Sequence, residues 1–202
     1  MSTALRERVI VPARRADTQH IAALIDQAGE GIPEAIWADY TQSGQSPMAF
    51  GAERAGSDEG NFSWKNVQLL NEDGRVKGML FAYRLPEGAP DMTDLHPLEV
   101  TLVELEALVP GSYYINAVAV YPDARGVGHG TRLMQRAEQQ AVAEGCDRCT
   151  LIVFAHNQGA LRLYRSLGYR QIAERGPVDD PLFNALGACL LMEKYLQPEN
   201  ET

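Results

Sequence analysis

A chain of 202 residues, 45% apolar and 22% charged, has the composition of a soluble globular protein and is long enough to bury a core without staples. Its 27 acidic and 18 basic residues give a formal net charge of −9. That balance argues against nucleic acid or an anionic membrane as partner, because both ask for a basic face. The start, MSTALRERVIVPARR, has no apolar run long enough for a signal peptide, and no stretch of about 18 apolar residues occurs further on. A cytoplasmic location is therefore expected.

In chain order, Val9-Ile10-Val11 reads as a short strand. Asp17 caps a helix running to Ala28, with Ile21, Leu24 and Ile25 on one face, and Gly29-Glu30-Gly31 breaks it. Pro33 suits the first turn of a second helix to Tyr40, and Pro47 to Arg54 forms a short third one. Two strands, Val67–Leu70 and Val76–Leu85, are joined through Asp73-Gly74, a hairpin signal. Residues 86–110 hold four prolines and the acidic segment Leu102–Glu106, and read as an insertion with one short helix. Ser112 to Tyr121 is strand-rich. A helix over Thr131–Glu144, a strand over Thr150–Phe154 and a helix from Asn157 to Leu167 follow. Strands over Tyr169–Ala173 and Ala188–Tyr195 close a mixed α/β sheet.

The chemistry is concentrated between Ile115 and Tyr169. The strand turns through Arg125-Gly126-Val127-Gly128-His129-Gly130 and opens a helix. Glycines let the backbone approach a ligand, and a helix start offers unpaired N–H groups and the positive end of its dipole. Together these make an anion site that suits a pyrophosphate. A P-loop would need Gly-Lys-Ser/Thr, and a dinucleotide fingerprint would need glycine where Thr131 stands. A glycine-rich turn that binds nothing stays open as a reading of the loop alone.

The three cysteines, Cys146, Cys149 and Cys189, are too few and odd in number for a disulfide framework. Cys146 and Cys149 spell C-x-x-C, but no second pair and no histidines at finger spacing accompany them, so no metal site is expected.

The segment resembles the GNAT superfamily of N-acetyltransferases at several points in the correct order. Arg125-x-x-Gly128-x-Gly130 matches the family's pyrophosphate loop. Val118-Ala119-Val120 with Pro122 looks like its L-A-V-x-P strand. Asn157-x-x-Ala160-x-x-x-Tyr164 and Leu167-Gly168-Tyr169 look like its second signature. The resemblance implies an α+β fold with a mixed, mostly antiparallel sheet of about 6–7 strands, about four flanking helices and a splayed central strand pair for the cofactor. It implies one domain over residues 1–202: N-terminal strands and acceptor-covering helices at 9–85, the insertion at 86–110, a cofactor core at 111–176, and a C-terminal loop and strand at 177–202.

The resemblance further implies acetyl-CoA as cosubstrate, without a metal, and transfer of its acetyl group to a small-molecule or peptide amine. The backbone of Val118, Ala119 and Val120 would meet the pantetheine arm. The backbone from Gly126 and Val127 through Gly128, His129, Gly130 and Thr131 would hold the pyrophosphate, flanked by Arg125. Asn157 would reach the pantetheine, and Tyr164 would act as general acid toward the leaving sulfur. The family has no single motif for the base: Glu106 and Glu34 rank first, with Glu104, Tyr113 and Tyr114 also near the central strand. Glu30, Glu34 and Trp37 lie in the segment that usually covers the acceptor. A non-catalytic acyl-CoA sensor of the same fold is the alternative function, and association into a homodimer is left open.

Overall fold

The computed structural model describes residues 8–176 and 180–196. Strand β1 (Arg8–Pro12) precedes three helices, α1 (Thr18–Ala28), α2 (Ile32–Tyr40) and α3 (Pro47–Ala55). The hairpin β2 (Val67–Glu72) and β3 (Arg75–Arg84) leads to α4 (Pro97–Glu106) and β4 (Tyr113–Val120). Then come α5 (His129–Ala143), β5 (Arg148–Phe154), α6 (Gln158–Ser166), β6 (Arg170–Arg175), α7 (Pro181–Leu186) and β7 (Cys189–Tyr195). The seven strands form one sheet in the order β1-β2-β3-β4-β5-β7-β6. The β1/β2, β2/β3, β5/β7 and β6/β7 ladders are antiparallel, whereas β4 pairs with β5 in parallel. The sheet is mixed and mostly antiparallel, as the sequence implies.

Seven α-helices are present among the described residues, more than the four or so expected. Two of the differences have local causes. Helix α4 starts at Pro97, well before the acidic segment, because His96 and Glu99 form a reciprocal capping box: Leu98 N–H donates to His96 Nδ1 and His96 N–H donates to Glu99 Oε2. Helix α7 lies where loop was expected. Asp180 accepts from Leu182 N–H at 2.8 Å, Pro181 occupies the first turn, and Phe183 and Leu186 are buried.

The chain clusters into two compact units, residues 1–81 with 117–134 and residues 82–116 with 135–202. In the first unit the hairpin turns on Asp73 and Gly74, both at positive φ (51° and 75°), the pair of conformations a two-residue type I′ turn requires. Ile21, Leu24 and Ile25 of α1 are buried, and Trp37 of α2 packs against Phe62, which meets Phe81 edge-on. A side chain at Gly51 would overlap the Trp37 ring, so α3 approaches α2 on a residue without Cβ. In the second unit the buried strands β5 and β7 pair over seven residues, and Phe183 stacks edge-on against Phe154. Ser112 and Thr150, both buried, satisfy one another through a 2.8 Å hydroxyl contact.

Candidate active site

In the first unit the loop after β4 is shaped by two glycines. Gly126 and Gly128 have φ of +80° and +87°, a left-handed backbone that costs other residues about 1–2 kcal/mol. Nothing lies within 4 Å of where a Cβ would stand at either one. The left-handed turn, not crowding, is what demands glycine here, and the space beside the backbone is open. Helix α5 begins at His129, two residues earlier than the sequence suggests, and Arg132 N–H makes an early helical bond to Gly128 O. The N–H groups of His129, Gly130 and Thr131 therefore belong to the first turn, where no helical carbonyl precedes them. These features fit a pyrophosphate.

The imidazole of His129 itself turns inward. The residue is 2% exposed and neither ring nitrogen has a hydrogen-bond partner. Burial first, then the charges of Arg8, Arg132 and Lys77, push its pKa down against the opposing pull of Glu72, so the ring stays neutral at pH 7. Only its backbone is available to an anion.

Strand β4 opens on a buried Tyr114 and alternates from Ile115 onward. Tyr113, Ile115, Ala117 and Ala119 are buried, whereas Asn116 is exposed and Val118 and Val120 are partly so. Backbone groups alternate too. Tyr121 N–H donates to Lys77 O of β3, and the Ala119 carbonyl lies where a Cβ on Gly78 of β3 would meet it at 2.7 Å. Ala119 is thereby turned toward β3, which removes it from the residues expected to offer backbone groups to a cofactor. Val118 and Val120 direct theirs to the opposite edge. The Val120 carbonyl is already taken by Gln27 Nε2 at 3.1 Å and Arg125 Nε at 3.0 Å.

In the second unit the parallel ladder between β4 and β5 runs from Tyr113↔Cys149 to Ile115↔Leu151. Asn157 caps α6, its Oδ1 accepting from Ala160 N–H at 3.0 Å, so its amide oxygen has a structural duty. Tyr164 of α6 is half-buried, with its ring 6.1 Å from that of Tyr169. Burial pushes its hydroxyl up to about 12, so it carries its proton throughout the working range.

A half-buried acid lies beside the start of β4. Burial raises the Glu106 carboxyl to about 7, opposed by a hydrogen bond from the Tyr114 hydroxyl and assisted by the negative charge of Glu99. Tyr114 and Tyr83 meet edge-to-face at 5.8 Å, and burial pushes both hydroxyls up. Asn116 Nδ2 donates to Tyr83 Oη at 3.3 Å. This places a carboxyl that titrates near neutrality, two phenols and an exposed amide in one cluster. Sequence reasoning missed Tyr83 and Asn116. The available signal was the polar residue interrupting the run Tyr-Tyr-Ile-Asn-Ala-Val, where a core strand would carry an apolar one.

The other acceptor-side candidates separate. Glu34 is exposed on α2, where its backbone N–H donates to Asp26 Oδ1. Glu30 sits at φ +56° in the α1–α2 turn. Trp37 is 4% exposed and belongs to the core, which removes it from the residues expected to cover the acceptor. Glu104 faces Arg175 at 3.5 Å on an exposed surface, and the Tyr113 hydroxyl donates to Gln140, so neither joins the Glu106 cluster. Cys146 and Cys149 are buried free thiols, and burial pushes Cys149 up to about 12. Among the described residues no group of three or more His, Cys, Asp or Glu could hold a metal ion, and no helix is long and apolar enough to cross a membrane.

Comparison with known proteins agrees with this geometry. The family described as "Acetyltransferase (GNAT) family" matches residues 30–169. An uncharacterized N-acetyltransferase of Bacillus subtilis, YdgE, is 28% identical over 143 residues, 70% of this chain and 77% of its own length. The thialysine N-epsilon-acetyltransferase of Sus scrofa is 33% identical over 61 residues, 30% of this chain, and the match spans about a third of it (36%). Among solved structures, a Drosophila melanogaster polyamine N-acetyltransferase has the same fold, with a TM-score of 0.66 at 15% identity, over 94% of this chain and 100% of that one.

Proposed function

Because the chain belongs to the acetyltransferase (GNAT) family, we propose that it moves an acetyl group from acetyl-CoA to the amine of an acceptor by direct attack. The observation that carries this reading is the loop at Gly126 and Gly128, left-handed and open, running into the unpaired N–H groups of His129, Gly130 and Thr131. These groups hold the pyrophosphate, while Val118 and Val120 offer backbone groups to the pantetheine arm. The bound thioester supplies an acyl carbon already activated toward an amine.

The residues then have separable duties. An alkyl ammonium, with a pKa of about 10.4, must lose its proton before attacking. Glu106, titrating near 7, accepts it directly or through water. Val118 N–H hydrogen-bonds the acyl oxygen as charge develops there. The new bond joins amine nitrogen to acyl carbon, the carbon–sulfur bond breaks, the sulfur leaves with the electron pair, and the surplus proton shed by the acylated nitrogen passes through water to that sulfur, giving the amide and the free thiol. Tyr164, at about 12, is a weaker acid than a thiol near 8.5. It therefore steadies the departing thiolate as a hydrogen-bond donor and does not give up its proton outright.

Small cationic amines are the first acceptors to test, since relatives are named for thialysine and fold neighbours for polyamines. Thiol release from acetyl-CoA with an amine panel tests the whole reading. Release with at least one amine is expected. Stabilisation by acetyl-CoA without thiol release from any amine would make the protein a binding module instead.

A further inference from the structure

His129 opens α5 with a side chain turned away from water, and both of its ring nitrogens are buried without a hydrogen-bond partner. An imidazole in that position costs free energy that an apolar side chain of similar size would not. The charges around it mostly disfavour a proton on the ring. Arg8 of β1, Lys77 of β3 and Arg132 of α5 itself oppose a positive imidazole, and Glu72 of β2 favours one. Glu72 is buried and paired with Arg8, whose carbonyl accepts from Arg132 Nη2 at 3.0 Å. His129 thus belongs to the same turn whose N–H groups, through Thr131, are proposed for the cofactor's phosphates, and every residue named here lies in the first unit.

We propose that His129 is an acid-sensitive latch on the cofactor loop: the neutral ring packs inside and keeps the first turn of α5 closed, and a protonated ring leaves for water and opens that turn. The inference rests on the coenzyme A reading of the loop given above. An ionised ring is driven outward because a charge without a partner is far costlier to bury than a neutral imidazole. In the open turn the ring titrates near its ordinary value of 6.5, and in the closed turn burial and the three cations hold it lower. Closure is therefore favoured in full above pH 6.5, and that advantage is lost as pH falls from 6.5 toward the closed-state value. Each pH unit below 6.5 raises the open-to-closed ratio by at most about ten-fold. Helix ends open at little cost, so a change of this size reaches the amides that hold the anion.

The test uses the full-length protein at pH 8 and pH 5.5. Calorimetric titration gives the Kd for coenzyme A in the wild type, in His129→Leu and in His129→Gln, neither of which can ionise at that position while both keep the backbone N–H. The phosphates of the ligand and the carboxyl of Glu106 titrate alike in all three proteins, so what is compared is the ratio of Kd at pH 5.5 to Kd at pH 8. The wild-type ratio is expected to exceed the other two by several-fold, with about ten-fold as the ceiling. Hydrogen exchange at the amides of residues 129–131, corrected for its intrinsic pH dependence, should quicken over the same interval in the wild type alone. The imidazole resonance of His129, one of four histidines, should titrate below 6.5. Equal ratios in the three proteins overturn the latch and leave acetyl transfer standing. So does a wild type that binds more tightly in acid, as a pyrophosphate drawn to an imidazolium would. Should neither variant fold, the wild type decides alone: exchange that does not quicken, or titration at or above 6.5, overturns the latch. Coenzyme A that binds at neither pH overturns the acetyl-transfer reading, and exchange and titration still decide the latch.

Discussion

Arg125 donates from its guanidinium Nε to the carbonyl oxygen of Val120 at 3.0 Å. The residue that opens the glycine loop is thus tied back to the end of the strand it leaves. Arg125→Ala should lower coenzyme A affinity several-fold, the worth of one such bond, by letting the loop drift. It should shift the melting temperature little, because the side chain is exposed. Calorimetric titration with coenzyme A checks this. Unchanged affinity would make the contact incidental.

Gly128→Asp places a carboxylate in the open space beside the first turn of α5 and adds the strain of a non-glycine residue at φ +87°. Binding of coenzyme A should disappear. Gly128→Ala carries the strain without the charge and should bind, more weakly. If both variants show the same thermal shift with coenzyme A as wild type, the anion site lies elsewhere.

Glu106→Gln should act on activity and stability in opposite directions. In the proposed role of base, Glu106 should contribute about 10²–10⁴-fold to turnover, and wild-type kcat/KM should fall below a limb centred near pH 7. Its folded-state pKa lies above the ordinary value of 4.5, so between those two pH values the folded protein holds a proton that the unfolded chain has released. Stability then falls as pH rises from 4.5 to 7 and is level above that. Removing the charge should raise the melting temperature at pH 8 and leave it nearly unchanged at pH 4.5. The gain is on the order of 3 kcal/mol at most, less what water reaching the half-buried carboxyl recovers. A variant that loses activity and stability together at pH 8 would mark Glu106 as structural.

Tyr164→Phe should reduce turnover while cofactor affinity holds, because the ring stays and only the hydroxyl goes. The loss should shrink with acyl donors whose leaving thiols are more acidic and need less help. With the hydroxyl at about 12, no limb of the pH–rate profile below pH 10 belongs to Tyr164, and the substitution should leave that range unaltered in shape. Wild-type turnover in Tyr164→Phe would assign the sulfur to water.

Gly51→Ala tests the placement of Trp37. The added methyl overlaps the indole, so α2 and α3 must move apart, at a cost of about 1–3 kcal/mol. Below the melting transition, KM for the amine should be unchanged, as a core tryptophan requires. A raised KM would return Trp37 to the acceptor's surroundings.

The stretch from β4 to α6 was legible because its residues are tied to local backbone conformation. Left-handed glycines, the Asn157 cap and the apolar face of Leu133, Met134, Ala137 and Ala141 each specify their own turn or helix. The Asp73-Gly74 hairpin belongs to the same class. Helix α7 escaped notice because six residues are too few for a periodic pattern, although Asp180-Pro181 carried the cap. Glu104 and Glu106 look alike in Val103-Glu104-Leu105-Glu106, and only tertiary packing separates them. Two residues apart on a helix they lie about 200° apart, so one meets Arg175 at the surface and the other is half-buried against Tyr114. The partnership of Asn116 with Tyr83 spans 33 positions and depends on strand pairing that no local pattern encodes.

The alternation of β4 from Ile115 onward also restricts how this gene can change length. Deleting or inserting one codon between Asn116 and Val120 would exchange the two faces downstream of the lesion. Two valines would be driven into sites sized for alanine, and the amides proposed for the cofactor would turn to the neighbouring strand. A change of two codons would preserve both faces and displace the glycine loop along the strand by about 7 Å. In this strand, frame-preserving indels are thus of two kinds, odd ones that invert its chemistry and even ones that move it.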